Sequence, residues 1–286
     1  PEAAAPGGAD APQEAAPGPS EASEGAEPQE AWAGAPSLPK GNDRDWQLAH
    51  ALLAASGCSR EDLLAVWTAI EAVTLADGGA VRSLSTDGLV AAMRAAVLAP
   101  ERAGVEPEGE LVKRLCERTA TQAKWMDGWA VSHAALATAA LGAAPGRTYD
   151  PLRAVLLERC TLGPRQGADV PLKSPGRWGS GRTPEPVETD DTGLAEASRV
   201  AGALARFEVH DAEVRSQLSG WLLRPLPAAS FLHLARDLAR AGLGDMSDPK
   251  VSRHVRGRAR SSELVAAVGA EAAAVLLNAY ARVEGA

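Results

Sequence analysis

Apolar residues recur at the spacing of one helical face along most of this chain. No stretch alternates apolar and polar residues for long enough to predict a β-strand. In DWQLAHALLAASG, residues 45–57, the large apolar side chains fall on one side of a helix, and Gly57 predicts its end. The apolar 45% of the chain is mostly Ala, Leu and Val, while aromatic residues make up only 4%. Small apolar side chains suit closely packed helices better than sheets, so the sequence predicts an all-α fold.

Helix boundaries follow from local signals. Ser59 is expected to cap a helix through its hydroxyl, with Asp62 as its partner three residues on. Pro100 is expected to end a helix that starts near residue 85. AAPGRTYD is expected to be a turn, with Asp150 as the N-cap and Pro151 as the first residue of the next helix.

Two segments lack the helical pattern. Residues 1–40 are rich in Pro, Ala, Gly, Ser and Glu and hold seven acids and one base, which predicts a disordered acidic tail. Residues 41–286 hold 30 acids and 28 bases, so the net charge of −8 comes mainly from the tail. Residues 163–192 contain five prolines and little apolar periodicity. We expect them to form a loop or linker between helical repeats at 41–162 and further helical repeats at 193–286.

The C-terminal part contains an internal repeat. VAGALARFEVHD from Val200, LARDLARAGLGD from Leu234 and LLNAYARVEG from Leu276 align with apolar columns at positions i, i+1, i+4 and i+5 of one helical face. Corresponding residues are 34 and 42 residues apart, and a second helix recurs, since Asp211 and Asp248 each precede a valine by three residues. LAHALLAASG from Leu48 fits the same register. Paired helices at such a period predict a short α-solenoid of stacked antiparallel helix pairs, the alternative being chance similarity among Ala- and Leu-rich helices.

These units resemble the heptatricopeptide and octotricopeptide class of helical repeats. The resemblance rests on the pattern of two apolar residues, two variable residues and Leu-Ala-Arg, followed by a turn and a second helix; it is best over 193–286. It implies an organellar protein that binds RNA or belongs to an organellar ribosome. The localisation that it implies is the mitochondrion, with the plastid as the alternative.

Two sets of basic residues are candidates for binding phosphates. Five bases and no acid occur within KVSRHVRGRAR, and an Arg column follows the apolar columns of the repeat. Stacking would turn that column into a ladder able to follow a nucleic-acid backbone. Trp178, within residues 163–192, has no evident core role and is a candidate anchor for a partner. The candidate binding residues are Lys250, Arg253, Arg256, Arg258, Arg260, Arg206, Arg240, Arg282 and Trp178.

Both basic sets have a structural alternative. The five bases can form a solvated helix face whose charges contribute little to stability, and the Arg column can pair with acids on neighbouring helices. Trp125 and Trp129 are four residues apart and are expected to pack in the interior.

Catalytic and metal-binding patterns are lacking. Gly176, Gly181, Arg182 and Thr183 imitate a phosphate-binding loop, but prolines flank the stretch where a strand and a helix are needed. The histidines have no metal-ligand spacing, and the three cysteines are expected to be buried free thiols. The sequence has no run of 18 apolar residues, so we expect no membrane span. We therefore expect no catalytic residues, no cofactor and no metal.

Two functions remain open. The first is a non-catalytic helical-repeat protein that contacts organellar RNA within a ribonucleoprotein such as an organellar ribosome. The second is a protein-only scaffold or assembly subunit of an organellar complex. The basic residues and the resemblance favour RNA, whereas the nearly neutral body and the few aromatic residues favour the scaffold.

Overall fold

Twelve α-helices and two short 3-10 helices make up the regular structure of the described residues, which contain no strand. The computed structural model describes residues 43–55, 57–76, 79–163, 191–242 and 249–281. The helices are α1 Asp43–Ala54, α2 Arg60–Ala76, α3 Thr86–Arg102, α4 Gly109–Gln122, α5 Gly128–Ala140, α6 Pro145–Arg159, α7 Asp191–Phe207, α8 Ala212–Leu222, α9 Ala228–Arg240, α10 Pro249–Ala259, α11 Ser262–Val268 and α12 Ala270–Ala281. The predicted all-α fold is confirmed. The predicted tail at 1–40 and nearly all of the predicted linker at 163–192 lie outside the described residues.

Eleven of the twelve helices are stacked in two layers, and α11 packs against α9 and α12. The first layer contains α1, α3, α5, α7, α9 and α12, each packed against the next one in this order. The second layer contains α2, α4 and α6, which pack in sequence, and α8 and α10, which pack against each other. Contacts therefore skip one helix along the chain, which is the arrangement of a short α-solenoid built from helix pairs. Helices α5 and α7 pack against each other, so the first layer is continuous even though residues 164–190 separate α6 from α7 in the chain.

Short polar side chains fix where several helices begin. Ser85, Asp127 and Ser261 each accept a hydrogen bond from the backbone N–H three residues on, ahead of α3, α5 and α11. Ser59 does the same for α2, and its hydroxyl donates to the Asp62 carboxylate at 2.7 Å, as the sequence predicts. Such caps satisfy backbone donors that a helix leaves unpaired at its start.

Two predicted helix boundaries are wrong, and prolines explain both. Helix α3 continues through Pro100 to Arg102 and ends where Gly104, at φ +71°, donates to the Ala99 carbonyl. Helix α6 begins at Pro145 and contains Pro151. A proline removes one hydrogen bond and crowds the carbonyl four residues earlier, but it fits where the backbone is near a helix end or faces solvent. Pro100 lies in the last turn of α3, and Pro151 is exposed, so neither interrupts its helix.

The predicted repeat columns lie on consecutive helices of the first layer. Their positions fall on α7, α9 and α12, and the side chains point into the core. The buried column residues are Val200, Leu234 and Leu276; Ala201 and Ala235; and Leu204, Leu238 and Tyr280. Asp211 caps α8 by accepting from the Val214 N–H, whereas Asp248, its predicted counterpart, lies outside the described residues.

Small residues let the first layer pack closely, and a few large ones fill the gaps. Helices α3 and α5 bury mostly alanines against their neighbours. Trp46 and Trp67 meet edge to face with ring centroids 5.8 Å apart, and Tyr149 and Phe207 meet at 5.8 Å between α6 and α7. Burial of each such ring contributes about 2–3 kcal/mol relative to exposure.

None of the described helices is by itself long and apolar enough to span a bilayer. Helices α11 and α12 reach that length and composition only together, as a pair bent by 119°.

Candidate functional site

The basic cluster predicted at Lys250–Arg260 lies on α10 and just beyond its end. Lys250, Arg253 and Arg260 are exposed, whereas Arg256 and Arg258 are half-buried. The alternative of a solvated helix face therefore describes only the exposed residues of the cluster, because Arg256 and Arg258 are half-buried.

Arg258 is bound to the turn that joins α8 to α9. Its guanidinium donates to the backbone carbonyls of Arg224, at 3.4 Å, and of Leu226, and it lies 4.4 Å from the centre of the Phe231 ring. A guanidinium held by two carbonyls and one aromatic face is a structural clamp between α10 and α9. The expectation that this arginine contributes little to stability is not compatible with these contacts.

Two members of the Arg column of the repeat, Arg206 and Arg240, lie in the described part of the chain. Arg206 lies in the last turn of α7 and Arg240 is the last residue of α9; both are exposed, and these two helices are neighbours in the first layer. Arg282 and Trp178 lie outside the described residues. The column therefore places two cations side by side at one end of the first-layer helices.

A second set of basic residues, two arginines and two histidines that the sequence did not reveal as a group, crosses four first-layer helices. It contains His50 on α1, Arg94 on α3, His133 on α5 and Arg199 on α7, and we call it the first-layer basic row. All four residues are half-buried. Stacking alone brings them together, because 39 to 66 residues separate each one from the next in the chain.

Burial and basic neighbours disfavour protonation of the histidines in the first-layer basic row. They lower the pKa of His133 to about 3, and the neighbours are Arg199, Arg94 and His50. Burial and the charge of Arg94 likewise lower the pKa of His50. Burial also lowers the pKa of Arg94 and of Arg199, although Glu196 opposes the effect at Arg199. The row is thus a region of positive potential in which histidine protonation is disfavoured until an anion arrives.

Partners of the row are few among the described residues. Arg199 donates through Nε to the Ser132 hydroxyl at 2.9 Å, which ties α7 to α5. His50 Nε2 is buried without a hydrogen-bond partner. No described acid forms an ion pair with any member of the row. Half-buried cations without anionic partners are a recurrent feature of anion-binding surfaces.

The two tryptophans expected to pack in the interior are exposed instead. Trp125 is 67% exposed and Trp129 is 42% exposed. The helix breaks between them: Trp125 ends the 3-10 helix Ala123–Trp125, and Asp127 caps α5 from Gly128. Their spacing of four residues therefore does not place them on one face. Lys124 Nζ lies 5.0 Å from the centre of the Trp125 ring, and the Trp129 ring lies 4.5 Å from that of His133.

The described residues show no group suited to metal binding, since no three His, Cys, Asp or Glu side chains come together for an ion. Cys116 and Cys160 are buried, and burial raises their pKa to about 11 and about 12 respectively, with smaller contributions from the acids Glu117 and Glu196. Thiols with raised pKa values are poor nucleophiles at neutral pH. Cys58 is exposed, against the expectation that all three thiols are buried.

Comparison with protein-family models, with curated proteins and with solved structures yields no match. A function for this chain must therefore follow from the chemistry of its own surface.

Proposed function

We propose that this chain is a non-catalytic helical-repeat protein that binds single-stranded RNA along its first layer. The observation that carries the proposal is the first-layer basic row, two arginines and two histidines that are half-buried on successive first-layer helices with no ion pair to a described acid. The resemblance to octotricopeptide and heptatricopeptide repeats supports an organellar ribonucleoprotein as its setting, in the mitochondrion or the plastid.

The length of the row favours a polymer over a small anion. Neighbouring helices lie roughly 8–10 Å apart, so three steps from α1 to α7 span about 24–30 Å. Arg206 follows Arg199 by seven residues, or two helical turns, on the same side of α7, and Arg240 occupies the corresponding position on α9. A flexible polyanion can contact all of these groups at once, whereas a single phosphate contacts one or two.

The recessed position of the row favours a single strand over a duplex. His50, Arg94 and His133 are half-buried between helices, where the backbone of a rigid double helix does not reach them. The exposed indole of Trp129 adds a stacking surface beside the row. Cationic grooves with aromatic platforms are the usual means of binding single strands.

The proposal is tested by titrating the whole chain with a labelled single-stranded RNA at several salt concentrations. The variant Arg94→Gln combined with Arg206→Gln should weaken binding at every sequence tested. It should also reduce the slope of log K against log salt, by roughly 0.7 for each phosphate that the variant no longer neutralises. Arg82→Gln is the matched control, because it removes an exposed arginine that lines a surface between the 3-10 helix Val81–Ser83 and α4 of the second layer.

A protein-only scaffold is the second candidate, and exposed Trp125 with Lys124 against its ring favours it. Exposed tryptophans are typical anchors of protein interfaces. If the wild-type chain binds no single-stranded RNA at low salt, the RNA proposal is wrong. If in addition Trp125→Ala abolishes association with a protein that binds the wild-type chain, the protein-only scaffold becomes the supported function.

A further inference from the structure

A surface pocket of about 410 Å³ lies at one end of the first-layer basic row, between α1, α3 and α5. Its apolar floor is formed by Val90 and Ala91 of α3. Polar and aromatic side chains surround that floor: Gln47, His50, Asp87, Arg94 and Trp129. Pockets of a few hundred Å³ with an apolar floor and a few convergent polar groups are the usual form of small-ligand sites.

The basic side of the pocket is suited to a phosphate. Arg94 forms no hydrogen bond or ion pair with a described residue, and His50 Nε2 is buried without a partner. A phosphate placed between them would accept charge-assisted hydrogen bonds from both, which are stronger than bonds between neutral groups. It would also offset the charge of Arg94, which together with burial lowers the pKa of both His50 and His133.

The acidic side of the pocket argues against inorganic phosphate as the whole ligand. Asp87 is exposed and lines the same pocket, so its carboxylate repels an anion and accepts hydrogen bonds. Gln47, also exposed and also lining the pocket, both donates and accepts. The ligand that fits this mixture carries a negative group at one end and a hydroxyl donor nearby.

The aromatic side of the pocket is suited to a nucleobase. The indole of Trp129 lines the pocket while 42% of the residue is exposed. His133 lies beside the ring, with centroids 4.5 Å apart and planes inclined by 58°. A ring supported on one side and open to solvent elsewhere is ready to stack on a base without rearrangement.

We propose that this pocket is a ribonucleotide subsite in which Arg94 and His50 hold the phosphate, Trp129 stacks on the base and Asp87 accepts a hydrogen bond from the ribose 2′-hydroxyl. The inference rests on the proposed function, because it places one nucleotide of the bound strand. It adds a discrimination between RNA and DNA, since the 2′-hydroxyl is the group by which a protein tells them apart at a given position.

The test compares RNA and DNA oligonucleotides of the same sequence on the whole chain. The wild type should bind RNA more tightly than DNA. Asp87→Asn keeps an acceptor but loses the charge, whereas Asp87→Ala loses both, so the preference for RNA should decrease in the first and disappear in the second. The affinity for DNA should not fall in either variant.

Stacking is tested by tryptophan fluorescence and affinity. RNA should quench the emission of the wild type, and Trp129→Phe should lose most of the quenching while keeping a smaller stacking ring. Trp129→Leu should weaken binding roughly 5- to 150-fold, the range measured for loss of one base–aromatic stack. Trp125→Phe is the matched control, because it changes an exposed tryptophan outside the pocket.

The outcomes separate the subsite from the proposed function. Unchanged affinity in Trp129→Leu together with equal binding of RNA and DNA by the wild type overturns the subsite, while loss of binding in the Arg94 and Arg206 variant still supports RNA binding along the row. Failure of the wild type to bind any single strand overturns both. If Trp129→Leu is unfolded, the fluorescence of Trp129→Phe decides: full residual quenching overturns the subsite.

Discussion

Arg153 on α6 and Asp211 ahead of α8 form a two-bond ion pair, with Nε to Oδ2 at 2.5 Å and Nη2 to Oδ1 at 3.2 Å. Asp211 is buried and also accepts from the Tyr149 hydroxyl at 2.9 Å and from the Val214 N–H at 3.1 Å. One carboxylate thus caps α8 and joins it to α6. Both are second-layer helices; α6 precedes residues 164–190 in the chain, and α8 follows them after α7. This contact links the two sets of repeats in the second layer.

Asp211→Ala should destabilise the chain by about 3 kcal/mol. The change removes an N-cap, leaves Tyr149 without its acceptor and leaves Arg153 with only its bond to Glu213, and each such loss contributes about 1–2 kcal/mol. Urea unfolding followed by circular dichroism measures the effect. Glu213→Gln is the control, since Glu213 contacts the same arginine at 2.7 Å from an exposed position and should change stability by less than about 0.5 kcal/mol. Equal effects of the two changes would refute a special role for Asp211.

The same carboxylate should contribute to unfolding by acid. Burial by itself raises the pKa of Asp211, but hydrogen bonds from Arg153, the Val214 N–H and Tyr149 outweigh it, so the pKa lies below its usual value of 3.8. A lowered folded-state pKa gives stability that is fully present above the unfolded-state pKa and is lost as the pH falls through the folded-state pKa. The free energy of unfolding should therefore decline below about pH 4. Asp211→Asn should be less stable at neutral pH and should show a shallower decline in acid.

Arg258→Ala should lower stability by about 2 kcal/mol, because it removes two hydrogen bonds to backbone carbonyls and a cation–π contact with Phe231. Arg253→Ala changes an exposed arginine on the same helix and should have little effect. Thermal unfolding of the two variants makes the comparison. If both unfold at the wild-type temperature, the clamp contributes nothing. Because Arg258 contacts the α8–α9 turn and Phe231, any substitution that tests RNA binding by the Lys250–Arg260 cluster should leave it in place.

The fold was predictable from the sequence because helical signals are local. The 3.6-residue periodicity of the apolar residues, which include Leu52 and Leu53, is enough to predict α1. The cap at Ser59 is predicted from Asp62, three residues further on. Helix ends at Pro100 and Pro151 were placed wrongly because tolerance of a proline depends on which side of the helix faces solvent, which only packing determines.

The candidate site was much less predictable, since its members come from different repeats. His50, Arg94 and His133 each occur singly at the edge of an apolar stripe, where a lone base is an ordinary surface residue. Only stacking of α1, α3 and α5 makes them neighbours. The dense charges at Lys250–Arg260 were visible in the sequence, yet the structural use of Arg258 was not. A repeat alignment does not bring the row together either, because the register that aligns Leu48 with Val200 places His50 opposite Gly202 rather than Arg199.

Tyr280→Phe tests whether the last repeat is part of the stack. The Tyr280 hydroxyl is buried and donates to the Ala235 carbonyl at 3.0 Å, which joins α12 to α9. Burial raises the pKa of this phenol well above its usual range, so the hydroxyl keeps its proton at any ordinary pH. Loss of one such hydrogen bond should lower stability by about 1 kcal/mol. Hydrogen exchange of α12 and α9 amides should speed up together in the variant, whereas an effect confined to α12 would mean that the two helices unfold independently.

His133→Gln should make the chain less sensitive to mild acid. Burial, together with the neighbouring Arg199, Arg94 and His50, holds the pKa of His133 at about 3, against 6.5 when unfolded, and the ring of Trp129 also faces it. The unfolded chain then binds a proton that the folded chain does not, so stability rises with pH over this window and falls as the pH drops below about 6.5. Glutamine cannot be protonated, so the decline between about pH 6.5 and pH 4.5 should become shallower. His233→Gln, at an exposed position of α9, is the control and should leave the profile unchanged. An undiminished decline in His133→Gln would assign the proton to another group, and His50, whose pKa is also lowered, would be the next to replace.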